Sequence, residues 1–540
     1  WNKSLYLHDA NTATFVHYCF AYDLKRIAEE GLFYLKDHNK PEPAQHLETF
    51  VDFVKEFINF TSNRSSGACG LPNLIPYMYY YWNKDIKSDH YPRSQTPEKF
   101  AKSEIQRMIY GMNQPYTRDG IQSAFINTSI FDEDYFVALF GGAEFPNGEF
   151  MIDHQDGIMQ FQKWFLEEMK AIKDRGRMFT FPVNTISLLV KDDEFANPEF
   201  AKWCSNHNRY WNDSNIFTSN EVTSLSNCCR LKSNVKDLGY FNSIGGSALK
   251  VGSVKVSTLN LARIAYESDG NEKKYLDIVK DRIIINMKML DTLRRIIKSN
   301  VAKGLLPNFQ EGIVDFEHLY NTLGINGIYE TMKTFGYTKI DEFGNTLYTD
   351  DALRFGNDLF NLIHATLKEF SSDKDYMCNV EQIPAETAAV KFIECDKLLF
   401  PEKVIKDLPL YGNQWIPLGV KTTMQERIRI CSTFDKFCNG GSIMHLNVDG
   451  PFSTDDQAWD MLNYITKQGV TYFAFNGKLS GCKNDHLFYG DICPECGEQK
   501  TWEATRTVGF LTKTSTWSKP RLNEFGMREW HDVDGKGINA

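Results

Sequence analysis

Apolar residues recur at steps of three and four along several stretches of this chain, and each such stretch predicts a helix with one buried face. The clearest runs over about 271–299, where Leu276, Val279, Ile283, Met287, Leu290, Leu293 and Ile297 form a single stripe. Residues 43–62 carry the same spacing, as do residues 154–174 around Phe161, Trp164, Phe165 and Met169. A further helix over 454–468 opens with Thr454 and Gln457 at the spacing of a capping box. Between the helices lie short apolar runs at 123–131, 180–190, 254–264 and 470–476, which read as buried strands. Strands alternating with helices predict an α/β fold, and the periodicity goes no further than that class. From about residue 478 Gly, Cys and turn residues become frequent. That shift predicts a small C-terminal module, 478–540, after a body of 1–477.

Composition narrows the functional classes. The chain has 540 residues, 42% hydrophobic and 24% charged, which suits a large globular protein. Its net charge of −10 disfavours non-specific binding to a nucleic-acid duplex. No apolar run approaches the roughly 18 residues of a membrane span. Neither a membrane nor a nucleic acid is therefore expected as a partner. Twelve cysteines with no visible secretory signal read as reduced thiols, metal ligands or catalytic groups, as in a cytoplasmic protein.

The cysteines near the C-terminus are ordered by chemistry. In GCKNDHLFYGDICPECG, Cys493 and Cys496 are two residues apart, so both sulfurs can reach one tetrahedral zinc ion. Cys482 is a third ligand and His486 the candidate fourth, giving a closed Cys3His site. A closed site is structural, because it leaves no position open for substrate. Gly509 follows in TRTVGFL. A metal site bracing a short loop around one glycine suits a backbone-centred radical. With no side chain, a glycine Cα radical can flatten and delocalise into both flanking peptide groups.

A stable backbone radical needs a thiol partner, since S–H and C–H bonds are close enough in strength to exchange hydrogen reversibly. Two regions supply thiols. Cys228 and Cys229 precede Arg230 in LSNCCRLKSNV, about 25 residues before VSTLNLARIA, and Cys19 lies in LYLHDANTATFVHYCFAYDLKRI. With TRTVGFL, where Arg506, Gly509 and Phe510 fill the motif, and the basic tail STWSKPRLNEFGMREW, these segments resemble the anaerobic (class III) ribonucleoside-triphosphate reductases of the glycyl radical family. RSSGACGLPN, QSAFINTSIFD, IPAETAAVKF and GGSIMHLNV extend the likeness along the chain. Two departures stand out. Phe510 replaces the more usual tyrosine, and Asp485 stands where the common four-cysteine metal pattern has its second cysteine.

The resemblance implies a ten-stranded α/β barrel with a finger loop through its centre. It implies a glycyl radical on Gly509, installed by a separate iron–sulfur, S-adenosylmethionine-dependent activase. Cys229 becomes the thiyl radical, Cys19 the proton donor and second thiol, and Cys228 a core thiol. A ribonucleotide is the substrate, dNTP and ATP the effectors, and a homodimer the assembly. Many members carry an N-terminal ATP-binding cone; this sequence opens at Trp1, and such a cone would precede it. The external reductant is formate or a thioredoxin-like thiol. Formate users carry an asparagine where counting back from Thr258 gives Ser253, which favours the thiol donor, with Cys228 or Cys19 able to form a transient disulfide. His8 and Asp9 match a His-Asp motif and read as structural. Cys69, Cys204, Cys378, Cys395, Cys431 and Cys438 match no catalytic position and read as core or surface.

Two other readings remain. A glycyl radical acyl-lyase or dehydratase also pairs a late glycine with a mid-chain cysteine, but the metal cluster just before the glycine speaks against it. A nucleic-acid-binding zinc-ribbon protein is disfavoured by the acidic balance and by 480 residues of α/β pattern.

Overall fold

The structure, a computed structural model, describes residues 3–35, 40–117, 120–222, 224–227, 231–234, 249–406, 408–507 and 509–533. Cys228 and Cys229 lie outside the described residues.

The periodic segments form the expected helices. The long stripe becomes Glu272–Ala302, burying Val279, Ile283, Met287, Leu290 and Ile297, while Leu276 and Leu293 pack at its margin. The other two stripes become Leu47–Ser62 and Gln155–Asp174. The Asp455–Lys467 helix carries the capping box, with Thr454 and Gln457 each bonding the other's backbone N–H. One expected strand is cut short. Residues 254–264 divide into the strand Gly252–Asn260 and the helix Leu261–Ser268. The Asn260 side chain accepts from the Arg263 N–H at 3.1 Å, and that cap converts strand into helix.

The main sheet contains ten strands in one continuous order, with two short strands off that path. Five strands from the first part of the chain run parallel: Phe20–Ala21, Cys69–Leu71, Ile126–Phe131, Val183–Lys191 and Ser214–Ser219. Gly252–Asn260, Leu319–Asn326 and Cys378–Glu381 form a second parallel run. Met444–Asn447 and Tyr472–Asn476 form a parallel pair. Two antiparallel junctions join these groups, Phe20 against Gly252 and Ile216–Phe217 against Tyr472–Phe473. At the two ends of the order, Glu381 bridges to Gly441 in parallel, and Gly440 N–H donates to Val380 O at 2.8 Å.

Helices cover the sheet, Glu272–Ala302 packing on both Gly252–Asn260 and Leu319–Asn326. The buried strand residues include Asn127, Asn184, Asn215, Asn321 and Asn379. A sheet sealed by hydrocarbon on both sides would not bury so many amides.

The C-terminal segment folds as a four-stranded antiparallel sheet of Leu487–Tyr489, Leu479–Cys482, Lys500–Arg506 and Leu511–Lys513. It rests on the end of the Gln155–Asp174 helix. There Gly176, at φ +76°, lies so close that a Cβ would sit 1.9 Å from Asp485 O. Tyr489 stacks on Trp211 at 6.0 Å between ring centroids. No described helix is long and apolar enough to cross a membrane.

Candidate active site

Cys19 stands at the antiparallel junction, immediately before Phe20. Its carbonyl accepts from Ser253 N–H at 2.9 Å, and its sulfur accepts from Ala68 N–H at 3.3 Å. Two glycines make room for it. A Cβ on Gly67 would lie 2.4 Å from the Cys19 sulfur, and one on Gly252 would lie 2.1 Å from the Cys19 carbonyl oxygen. Only residues without side chains permit this approach.

The thiol opens into a cavity of about 260 Å³. Gly509, 490 positions away in sequence from Cys19, and Phe510 line the same cavity. Gly509 is buried, and its carbonyl accepts from Arg506 Nη1 at 3.4 Å. Phe510 packs against Phe125 and Phe181, with ring centroids 5.3 and 5.8 Å away. Ser253 also lines the cavity, and its hydroxyl lies 2.8 Å from Thr322 Oγ1.

His8 and Asp9, read from the sequence as structural, line this cavity too. His8 Nε2 lies 2.7 Å from Thr258 Oγ1, so the pair joins the Thr-Leu-Asn strand to the cavity wall. Burial pushes the His8 pKa down to about 4 and keeps the ring neutral near pH 7. Behind the wall, the fully buried Lys255 donates to Ser66 Oγ at 3.2 Å. Burial pushes Lys255 down to about 8, with Asp9 opposing the shift.

Part of the cavity is one that motif reading left unassigned. Pro384, Ala385, Glu386 and Thr387 line it, at the start of the Glu386–Leu399 helix. Ala385, at φ 51°, precedes that helix with no side-chain cap. A helix start of this kind favours an anion. The segment IPAETAAVKF carried a signal, but nothing local tells that its turn faces Cys19.

The metal-type residues come together as expected. One ligand atom from each of Cys482, His486, Cys493 and Cys496 lies within 4.8 Å of all the others. Cys482 Sγ and Cys496 Sγ are 3.8 Å apart, and Cys493 Sγ is 3.3 Å from His486 Nδ1. A tetrahedron of Zn–S bonds has an edge of about 3.8 Å, so the set fits such an ion. Glu495 approaches His486 Nε2 at 3.4 Å and orients the ring. Asp485 turns away at φ 62° to meet Arg177, which leaves His486 as the fourth member. Among the described cysteines none is in a disulfide; Cys69, Cys204, Cys378, Cys431 and Cys438 are buried and Cys395 is half-buried.

A family model described as "Anaerobic ribonucleoside-triphosphate reductase" matches residues 2–531. The chain is 21% identical over 558 residues to the anaerobic ribonucleoside-triphosphate reductase of Salmonella typhimurium, covering 94% of this chain and 74% of that protein. Crystal structures of the anaerobic ribonucleotide reductase from Thermotoga maritima are similar in fold. The complex with dATP and CTP has a TM-score of 0.88 at 38% identity and covers 97% of this chain and 84% of its own. The form with dATP bound in the specificity site has a TM-score of 0.87 at 37% identity, covering 96% and 85%.

Proposed function

We propose, from the premise that this chain belongs to the anaerobic ribonucleoside-triphosphate reductase family, that its reaction takes place in the cavity shared by Gly509 and Cys19. The reaction of the family is the anaerobic reduction of ribonucleotides. The assignment of residues to steps is our reading. A radical-SAM activase removes a hydrogen atom from the Gly509 Cα. Gly509 takes a hydrogen atom from Cys229, and the resulting thiyl radical takes the 3′ hydrogen of the ribonucleotide. The 2′ hydroxyl leaves as water with a proton from Cys19. Two electrons and two protons from an external reductant complete the reduction and restore the Cys19 thiol, and Cys229 returns the 3′ hydrogen. Ser253 at the cavity wall supports a thioredoxin-like dithiol rather than formate as that reductant.

The single observation that carries this reading is that Cys19 and Gly509 line one cavity. The start of the Glu386–Leu399 helix lines the same cavity, and its dipole suits the substrate phosphates. The bridge between Glu381 and Gly441 supports closure of the ten strands into a barrel. Residues 1–477 then form the barrel body and 478–540 the module carrying zinc and Gly509. Zinc on Cys482, His486, Cys493 and Cys496 would brace the strand that leads into the glycine turn and takes no part in the chemistry. Effector dNTP at a specificity site and assembly as a homodimer follow from the family, and the Thermotoga relative carries dATP in such a site.

The test is anaerobic turnover of a ribonucleoside triphosphate by the activated chain and by Cys19→Ala. The native chain yields deoxyribonucleotide, whereas the variant keeps the Gly509 radical signal but makes none. Product formation by Cys19→Ala at the native rate would overturn the role given to Cys19.

A further inference from the structure

Across the turn that carries Gly509, Thr507 N–H donates to Phe510 O at 3.2 Å. A short turn around a glycine has wide conformational freedom, so its orientation must be imposed from outside. Two guanidinium groups impose it. Arg506 reaches from below, donating to Asn212 O at 3.0 Å and to Gly509 O at 3.4 Å. Arg528 reaches from the other side, its Nη1 donating to Arg506 O at 2.9 Å and its Nη2 to Thr507 O at 3.2 Å.

Arg528 follows the Lys519–Met527 helix and is itself held. Its Nε and Nη2 meet the two carboxylate oxygens of Glu524 at 2.8 and 2.9 Å. Arg528 and Glu524 are buried, at 5% and 7% exposure. A buried guanidinium is tolerable because the bidentate carboxylate matches its charge and geometry. A lysine, with three donors on one atom, could not make these four hydrogen bonds together or hold the carboxylate bidentately. Just beyond, the chain is fastened to the opposite part of the sheet. Glu529 N–H donates to Leu418 O at 3.3 Å, His531 N–H to Asn447 O at 3.0 Å, and Asn447 Nδ2 to Glu529 O at 3.1 Å. Residues 519–533 thus run as a strap from the glycine turn to the Met444–Asn447 strand.

We propose that Arg528, oriented by Glu524, is a positioning residue for radical exchange: it fixes the carbonyls before Gly509 so that the glycine Cα faces the cavity it shares with Cys19. The proposal rests on Gly509 being the radical site. It gives the tail after the glycine a task distinct from that of the metal module.

The experiment uses the full chain, activated anaerobically by the radical-SAM activase, as native protein, Arg528→Lys, Glu524→Gln and Gly509→Ala. It reads kcat, KM for the ribonucleotide, and the amplitude and decay of the glycyl electron paramagnetic resonance doublet. Displacing reacting groups by about 1 Å costs up to about a hundredfold in rate. Arg528→Lys is therefore expected to lose about ten- to a hundredfold in kcat, with KM unchanged within about twofold. Its doublet still forms but decays severalfold faster. Glu524→Gln shows the same pattern to a smaller degree. A merely structural role would lower the amount of folded protein without changing radical decay per folded chain. If Arg528→Lys fails to fold, Glu524→Gln, which keeps the volume and one acceptor, decides the matter. Native kcat and native radical decay in the folded variants, or a loss confined to KM, would overturn the proposal. A doublet surviving in Gly509→Ala would instead overturn the assignment of the radical on which it rests.

Discussion

At the scale of single residues, the site depends on close approaches as much as on reactive groups. Gly67 is the sharpest case, since a methyl group there would overlap the Cys19 sulfur at 2.4 Å. Gly67→Ala is expected to push the thiol from its place beside Ala68 N–H and to lower kcat by about a hundredfold. The Gly509 radical should form at the native level, because the atoms nearest an added Cβ on Gly67 belong to Cys19 and Tyr18. Parallel turnover and spin measurements check this, and native turnover would show that the thiol has room to move. Much of this chemistry was legible from residue type and order. Cys19, Gly509 and the Cys3His set were named from motifs, and the structure brings the four metal-type residues together and puts Cys19 and Gly509 on one cavity. His8 and Asp9 are on its wall too, where the sequence suggested only a structural pair. No local pattern reveals which wall a polar pair will face. The same holds for the Pro384–Thr387 turn, whose meaning comes from strand neighbours hundreds of residues away. Cys228 and Cys229 lie outside the described residues, so their place is argued from motif alone.

At the scale of elements, the Thr-Leu-Asn-Leu-x-Arg-Ile segment shows how a motif becomes architecture. Asn260 caps the Leu261–Ser268 helix and also donates to Asp396 Oδ2 at 3.0 Å. Arg263 pairs with the same carboxylate, and Tyr411 donates to it at 2.8 Å. Arg263 and Asp396 are almost wholly buried, at 1% and 0% exposure. Removing one charge of such a pair strands the other in a low-dielectric site. Asp396→Asn is expected to cost about 3–5 kcal/mol. A fall in thermal midpoint checks it, and an unchanged midpoint would mean that the pair is solvated. The sequence suggested a strand across this whole segment because it reads as one short apolar run from Val254 to Ile264. The asparagine cap was the overlooked sign of the change. Long amphipathic helices were legible because their period repeats over several turns, and the capping box at Thr454 marked a true start.

At the scale of the whole molecule, two antiparallel junctions bring together segments far apart in sequence, and the cavity lies beside one of them. Strand order of this kind was beyond reach of local pattern, which gave α/β alternation and no more. The fold also buries histidines as neutral rings. Burial, with Lys255 nearby, pushes the fully buried His17 down to about 3, and burial brings His8 to about 4. Unfolded histidine protonates near pH 6.5. Each ring therefore contributes stability that is lost as pH falls from 6.5 toward about 3, while Asp132 and Glu330, which burial pushes up to about 6 and about 7, act in the opposite sense. His17 alone contributes about 1.4 kcal/mol for each pH unit in that window. Relative to the native protein, the thermal midpoint of His17→Gln should therefore rise as pH falls from 7.5 to 5; equal slopes in the two proteins would contradict this.

The claim at the centre is that an unpaired electron resides on Gly509 and serves the thiol chemistry of the cavity. Electron paramagnetic resonance after anaerobic activation tests it most directly, on chain grown with natural glycine, on chain grown with glycine deuterated at Cα, and on Gly509→Ala. The expected result is a doublet from the single α-hydrogen in the first, its collapse to a narrow singlet in the second, and no signal in the third. A doublet that persists in Gly509→Ala, or that ignores the deuterium, would contradict it.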